Sequence, residues 1–375
     1  MAYQPFVPLT NLNFQFNRVF TYGDVACREE ELWEIAPRLQ KFDYRAWHRE
    51  WHGLAVRAEG EQRLMHAAYY HRLSEFFLPD GFPEKEEAYH DFHRCFYEAV
   101  AGESLEKFEV PYPGGHLPVL RLKAPREKGV ILVHGGFDSF MEEFYIELKR
   151  MPEEQGYTVI LFEGPGQGRT LREGLKMTHE WERPVSSVLD YFRLDRAALV
   201  GISLGGYLAL RAAAYEPRIA RVAAYGVVYD AFECFARNFP DQVIAQFREM
   251  VDAGKKEEVT AWIETLRQSS DILEWTLTHG MYISGTTNLF DYLHFWMNFN
   301  TREISRLIEQ DVLLLAGEND HFVPLEMYRR QKEALVKARS VRGRVFTAAE
   351  GGDQHCQVGR LDLAWNEILD WLNGF

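Results

Sequence analysis

Gly201-Ile202-Ser203-Leu204-Gly205-Gly206 decides how this chain is read. The strand-like run Arg196-Ala197-Ala198-Leu199-Val200 precedes it, and the alanine-rich helical run Tyr207 to Ala214 follows it. A serine between glycines at a strand-to-helix turn lifts one hydroxyl to the upper edge of an α/β sheet. Side chains at 201 or 205 would crowd the backbone where strand and helix meet. Three defined residues also recur by chance, so the surrounding pattern has to carry the argument.

That pattern is a succession of short apolar strands and amphipathic helices. Buried-strand candidates are Gly129 to Val133, Tyr157 to Phe162, Ala197 to Val200, Val222 to Val228, Asp311 to Leu315 and Arg344 to Phe346. Helical patterns fall at Phe144 to Met151, His179 to Phe192, Gly205 to Tyr215, Leu325 to Ala338 and Leu363 to Leu372. Their alternation predicts an α/β fold with a mostly parallel sheet covered on both faces. A strand-turn-strand unit, Lys107 to Val110 and Leu117 to Leu122, precedes it.

Residues 22–104 read as helices: Glu29 to Leu39, Tyr44 to Arg57, Met65 to Phe77 and Glu84 to Ala99. The expected organisation is an N-terminal helical cap region (1–104), a first core part (105–230), a helical insertion (231–307) and a second core part (308–375). The insertion is rich in aromatics, among them Phe235, Trp262, Trp275, Tyr292, Trp296 and Phe299. Insertions at the C-terminal edge of a parallel sheet lie where ligands bind, so it reads as a lid. The alternative is a helical extension that supplies core and a homodimer surface.

A serine nucleophile needs a base, an orienting acid and oxyanion donors, and in a parallel sheet these follow the order nucleophile, acid, base. Asp320 is the acid candidate, in the loop Gly317-Glu318-Asn319-Asp320-His321 leaving a buried strand; Glu318 and Asp230 compete. His355 is the base candidate, in the Gly-rich loop before the final helix, with His321 its rival. The turn His134-Gly135-Gly136-Phe137 offers oxyanion donors: the N–H of Leu204 together with that of Phe137 or Gly136. His134 reads as a loop organiser rather than a proton carrier.

Other chemistries find little support. Glu163-Gly164-Pro165-Gly166-Gln167-Gly168 has no Lys-Ser/Thr pair, so it is not a phosphate loop, and no nicotinamide fingerprint occurs. No cofactor is expected. His66 with His71, and His90 with His93, lack the carboxylate geometry of a metal site, so they read as structural and no metal is expected. The four cysteines, Cys27, Cys95, Cys234 and Cys356, have no paired spacing. A net charge of −14 without a basic stretch argues against nucleic acid. No apolar run reaches membrane-spanning length and no signal-peptide pattern opens the chain, so the expectation is a cytoplasmic enzyme with a small-molecule substrate.

Taken together these residues resemble the α/β-hydrolase superfamily. Within it they are similar to the branch with the fermentation-respiration switch protein, 2,6-dihydroxypseudooxynicotine hydrolase and fungal polyketide chain-shortening hydrolases. The resemblance rests on Val133-His134-Gly135-Gly136, Phe162 to Gly168, Gly201 to Gly206, Gly317 to Asp320 with Pro324, and His355. It extends to Ala68 to Phe77 in the helical region. The branch implies cleavage of acyl bonds, including C–C bonds beside a ketone, through an acyl-enzyme on Ser203. The expected substrate is bulky and apolar, aromatic or polyketide-like. Carboxylesterase or lactonase action is the alternative, followed by a non-hydrolytic transacylase and a peptidase. Asp230, Glu233 and Trp296 are the candidate contacts to substrate or leaving group.

Overall fold

Branched and long aliphatic side chains without intervening charge make Ile131-Leu132-Val133, Val159-Ile160-Leu161 and Leu313-Leu314-Leu315 fit only for strands buried on both faces, and all nine are buried. In the computed structural model, which describes residues 2–237, 239–267 and 271–374, these runs belong to interior strands of an eight-stranded sheet, each with a neighbour on both sides. Its strands are β1 (Glu106–Tyr112), β2 (Gly115–Leu122), β3 (Gly129–His134), β4 (Tyr157–Phe162), β5 (Ala197–Ile202), β6 (Ile219–Tyr225), β7 (Asp311–Gly317) and β8 (Ser340–Phe346). The order is β1-β2-β4-β3-β5-β6-β7-β8. The β1–β2 and β2–β4 pairings are antiparallel, and all the others are parallel. The loops after β3, β5, β7 and β8 therefore open on one edge, where ligands bind in such sheets.

Contacts divide the chain into two compact units. One consists of the chain up to Ser104 with Leu266–His279 and Val358–Arg360; the sheet and everything else form the other. Helices of the first unit are α1 (Thr10–Phe20), α2 (Glu29–Ile35), α3 (Tyr44–Gly60), α4 (Leu64–Phe76) and α5 (Pro83–Ala99). Asp43 starts α3, its carboxylate accepting the N–H groups of Arg45 and Ala46 at 2.9 and 3.0 Å. Trp51 sits at the centre, with Phe16, Trp47 and Tyr70 at ring distances of 4.9, 5.5 and 5.8 Å. Trp51→Ala is expected to destabilise the protein by about 3–5 kcal/mol, measured as a lowered denaturant midpoint.

Helix α1 has no counterpart in the sequence reading. Its amides mask the helical pattern: Asn17 takes the Gln4 N–H at 2.7 Å and donates to the Gln4 carbonyl at 2.8 Å, while Asn13 accepts the Val7 N–H at 3.2 Å. These side chains clasp the preceding segment and face inward although they are polar.

Around the sheet lie α6 (Tyr145–Leu148), α7 (Met151–Gln155), α8 (Gly168–Arg172), α9 (Glu182–Tyr191) and α10 (Gly205–Tyr215). After β6 come α11 (Ala231–Ala236), α12 (Asp241–Asp252), α13 (Lys256–Arg267), α14 (Asp271–Ser284) and α15 (Leu289–Met297). Helices α16 (Leu325–Ala334) and α17 (Leu361–Asn373) flank β8. The helix expected over Phe144 to Met151 is instead two short pieces, α6 and α7, broken ahead of Pro152. Strand β8 begins four residues earlier than Arg344. Its cations hid it, because an edge strand tolerates them: Arg344 pairs with Glu367 at 2.7 Å and Glu350 at 2.8 Å.

The 231–307 segment, of which residues 238 and 268–270 lie outside the described residues, contains helices and no strand among the described residues. Its two ends are tied together. Ala231 N–H donates to Phe299 O, and Thr301 N–H donates to Tyr229 O, each at 2.9 Å.

Candidate active site

Strand β5 ends in the turn that carries Ser203, and the backbone there is unusual. Ser203 has φ 63°, a left-handed conformation that costs a non-glycine residue about 1–3 kcal/mol. Two contacts hold it. The Ser203 N–H donates to Tyr225 O at 2.7 Å, and the Ser203 carbonyl accepts the Gly206 N–H at 2.8 Å. A side chain on Gly201 would collide with the Gly205 carbonyl, and one on Gly206 with the Gly226 carbonyl. The strand-to-helix approach is therefore open only to glycine at both positions.

The hydroxyl so presented meets an imidazole. Ser203 Oγ lies 2.9 Å from His355 Nε2, and His355 Nδ1 lies 2.7 Å from Asp320 Oδ2. With Nδ1–H donating to the carboxylate, Nε2 carries the lone pair that accepts the serine proton. The other carboxylate oxygen of Asp320 accepts the N–H groups of Phe322 and Val323 at 2.8 and 2.9 Å. Burial acts to raise the Asp320 pKa, but His355 and these N–H donors outweigh it and hold the group below the usual carboxylate range. For His355 burial pulls downward, yet the Asp320 carboxylate prevails and the net direction is well upward.

The rivals have other tasks. His321 is pushed down to about 3, first by burial and then by His355, so it is neutral and cannot serve as the base. Glu318 accepts the Ala348 N–H at 3.0 Å. Asp230 caps α11 by accepting the Glu233 N–H at 3.1 Å, and its second oxygen takes Arg248 and Arg302 at 2.8 and 2.5 Å. Glu233 binds Arg302 at 2.9 Å, Arg248 at 3.4 Å and also Arg330. Both carboxylates are thus members of one arginine cluster.

The turn after β3 lies directly against the serine. A Cβ on Gly136 would stand 2.7 Å from Leu204 N and 2.9 Å from Ile202 O. The Gly136 N–H itself points to Ser139 Oγ at 3.5 Å. His134 is a loop organiser: its Nδ1–H donates to Gly135 O at 2.9 Å and its Nε2 accepts the Trp181 indole N–H at 3.2 Å. Burial lowers its pKa to about 4, so it stays neutral.

Several supporting residues escaped sequence reasoning. Gln167 donates to Gly135 O and Gly136 O at 2.8 and 2.9 Å, so the loop Glu163 to Gly168 braces the His-Gly-Gly turn. Asn319 bonds Asp353 through backbone and side chain, both at 3.0 Å, joining the acid loop to the base loop. Tyr225 fixes the base loop by donating to Cys356 O at 2.8 Å. A glycine-rich loop between buried strands was the one visible signal for Gln167. The other two depend on which loops meet in space.

Beside the turn is an aromatic wall. Phe137 is 5.5 Å from Trp296 and 6.3 Å from Phe235, and Phe235 is 5.6 Å from Trp296 and 6.3 Å from Tyr292, ring to ring. These rings come from the β3 loop, α11 and α15. Trp296 is fully buried, whereas Phe235 is partly exposed.

The fold and the Ser203–His355–Asp320 array define a serine hydrolase built on a mostly parallel α/β sheet with helical additions. The model of the Alpha/beta hydrolase family matches residues 130–356, and the chain belongs to that family. It is 27% identical to the 20-hydroxy-prefusarin hydrolase FUS2 of Gibberella moniliformis, over 96% of this chain and 95% of that protein. It is likewise 27% identical to the hydrolase acrC of Aspergillus aculeatus, over 98% and 97%. Among solved structures, 2,6-dihydroxy-pseudo-oxynicotine hydrolase superposes with a TM-score of 0.70 at 21% identity, covering 95% of this chain and 94% of that one. AbyA5 superposes with a TM-score of 0.68 at 18% identity, covering 92% and 90%.

Among the described residues no helix is long and apolar enough to cross a membrane. All four cysteines are free thiols.

Proposed function

We propose that this enzyme hydrolyses a C–C bond beside a ketone in a bulky aromatic or polyketide-like substrate. The observation that carries the reading is the pair of accessible rings Phe137 and Phe235 next to the serine turn, backed by the buried Trp296. Flat rings there suit a planar conjugated substrate through stacking and apolar burial. Similarity to proteins named as hydrolases of 20-hydroxy-prefusarin and of 2,6-dihydroxy-pseudo-oxynicotine supports a substrate of this class.

In this reading Ser203 Oγ attacks the substrate carbonyl while His355 Nε2 takes its proton. The tetrahedral oxyanion is held by the N–H of Leu204 and that of Phe137, since the Gly136 N–H is turned toward Ser139. Collapse breaks the C–C bond, and its electron pair leaves as an enolate that takes the proton from His355. Asp230 and Glu233 sit within the arginine cluster, so the proton on His355 serves the leaving carbon as well. Water, deprotonated by His355, then releases the acid. Helices α11 and α15 of the 231–307 segment act as the lid beside the substrate site.

Gly136→Ala places a methyl against Leu204 N. It is expected to lower kcat by about 10²–10³-fold with little change in KM, as loss of an oxyanion donor does. The reaction class is tested with an aryl β-diketone and a matched aryl ester, following products by mass spectrometry in ¹⁸O-labelled water. One ¹⁸O in the released acid together with the free ketone is the expected result. Turnover of the ester alone removes the C–C proposal and leaves a carboxylesterase.

A further inference from the structure

Three helices of the N-terminal unit each bring one metal-ligating side chain to a common point. Glu59 lies near the end of α3, His71 in α4 and Cys95 in α5, and their ligand atoms all fall within 4.8 Å of one another. His71 and Cys95 are buried, and the Glu59 side chain is 26% exposed. Packing of α4 against both α3 and α5 brings these residues together.

The local hydrogen bonding is incomplete. His71 Nε2 lies 2.6 Å from Glu59 Oε1, but the buried Nδ1 has no hydrogen-bond partner among the described residues. The imidazole is thus tied through one nitrogen only, and Nε2 is the one that faces Glu59. Next to it stands His52, 5.6 Å away ring to ring, whose buried Nδ1 also lacks a partner there.

We propose that Glu59, His71 and Cys95 form a zinc site that braces α3, α4 and α5. One sulfur, one imidazole nitrogen and one carboxylate oxygen are the donor set that borderline-soft, tetrahedral Zn²⁺ takes, whereas Mg²⁺ and Ca²⁺ prefer oxygen alone. Binding forms the Sγ–Zn bond as the Cys95 proton leaves to solvent, and the Nε2–Zn bond as the His71 proton moves from Nε2 to Nδ1, so the ion's two charges are balanced by thiolate and carboxylate. Arg94 holds the second oxygen of Glu59 at 2.8 Å and is in turn paired with Asp91 at 2.9 Å, which is an outer-shell arrangement that fixes the ligand. Water reaches the fourth position past the partly exposed Glu59. The carboxylate and imidazole must open from their hydrogen-bonded separation of 2.6 Å by about 0.7 Å, to roughly 3.3 Å, the spacing that metal bonds near 2.0 Å require.

The test uses the full-length protein, stripped with a chelator and equilibrated with buffered Zn²⁺, then with Co²⁺. About one zinc per chain is expected, and the cobalt form should show a thiolate-to-metal charge-transfer band. Cys95→Ser should abolish the band, and Glu59→Gln and His71→Gln should each weaken zinc binding by at least the roughly 10- to 100-fold that outer-shell changes produce. Fluorophosphonate labelling of Ser203 at the parent rate identifies variants that remain folded, and it is independent of the zinc readout. No stoichiometric zinc in the parent protein overturns the proposal. So does a cobalt–thiolate band that persists in folded Cys95→Ser, or unchanged zinc affinity in folded Glu59→Gln and His71→Gln.

Discussion

Ser203→Ala is expected to lower kcat by about 10⁶-fold, on any substrate the enzyme accepts, and to abolish labelling by a fluorophosphonate. The size follows from the array acting as a unit. Without Oγ, His355 has no nucleophile to activate, and only binding and the oxyanion donors remain. The change is a single oxygen in a turn whose backbone bonds to Tyr225 and Gly206 are kept, so the fold should persist. Parent-like circular dichroism together with residual turnover checks this. Equal labelling of the variant would remove Ser203 from its role.

Asp320→Asn is expected to cost about 10⁴-fold in kcat, because an amide favours the wrong imidazole tautomer. Its pH profile carries the sharper information. His355 acts as base only when neutral, so kcat/KM in the parent falls as pH drops through the His355 pKa, which Asp320 holds above its ordinary value despite burial. Removing the negative charge leaves burial as the main influence, and that lowers the pKa. The acid limb of the profile should therefore move to lower pH in the variant even as its height collapses. An unmoved acid limb would show that another group sets it.

Much of this was legible because strands buried on both faces cannot hide. Gly129 to Val133 and Asp311 to Leu315 admit no other reading, and the triad follows from residues placed at the ends of such strands. What stayed hidden was polar structure inside the fold. Helix α1 carries buried amides that mimic loop sequence, and β8 carries arginines that only its edge position permits. The Asn319–Asp353 tie joins residues 34 apart in loops whose encounter depends on β7 lying beside β8. The sequence marks Glu233 as a candidate substrate contact, whereas three guanidinium groups drawn from α12, the segment before β7 and α16 define its surroundings. Glu59, His71 and Cys95 are gathered only by helix packing, which spacing along the chain does not show.

The left-handed backbone at Ser203 means that chemistry and durability pull in opposite directions at one residue. A glycine there would relax the turn, and the molecule would keep its sheet while losing its reaction. The geometry persists because the surrounding glycines and the Tyr225 carbonyl leave the chain no easier path, so stability elsewhere in the sheet sustains a locally unfavourable state. Improvements in thermal tolerance should accordingly come from positions remote from this turn, where a better-packed or better-capped residue has no catalytic cost.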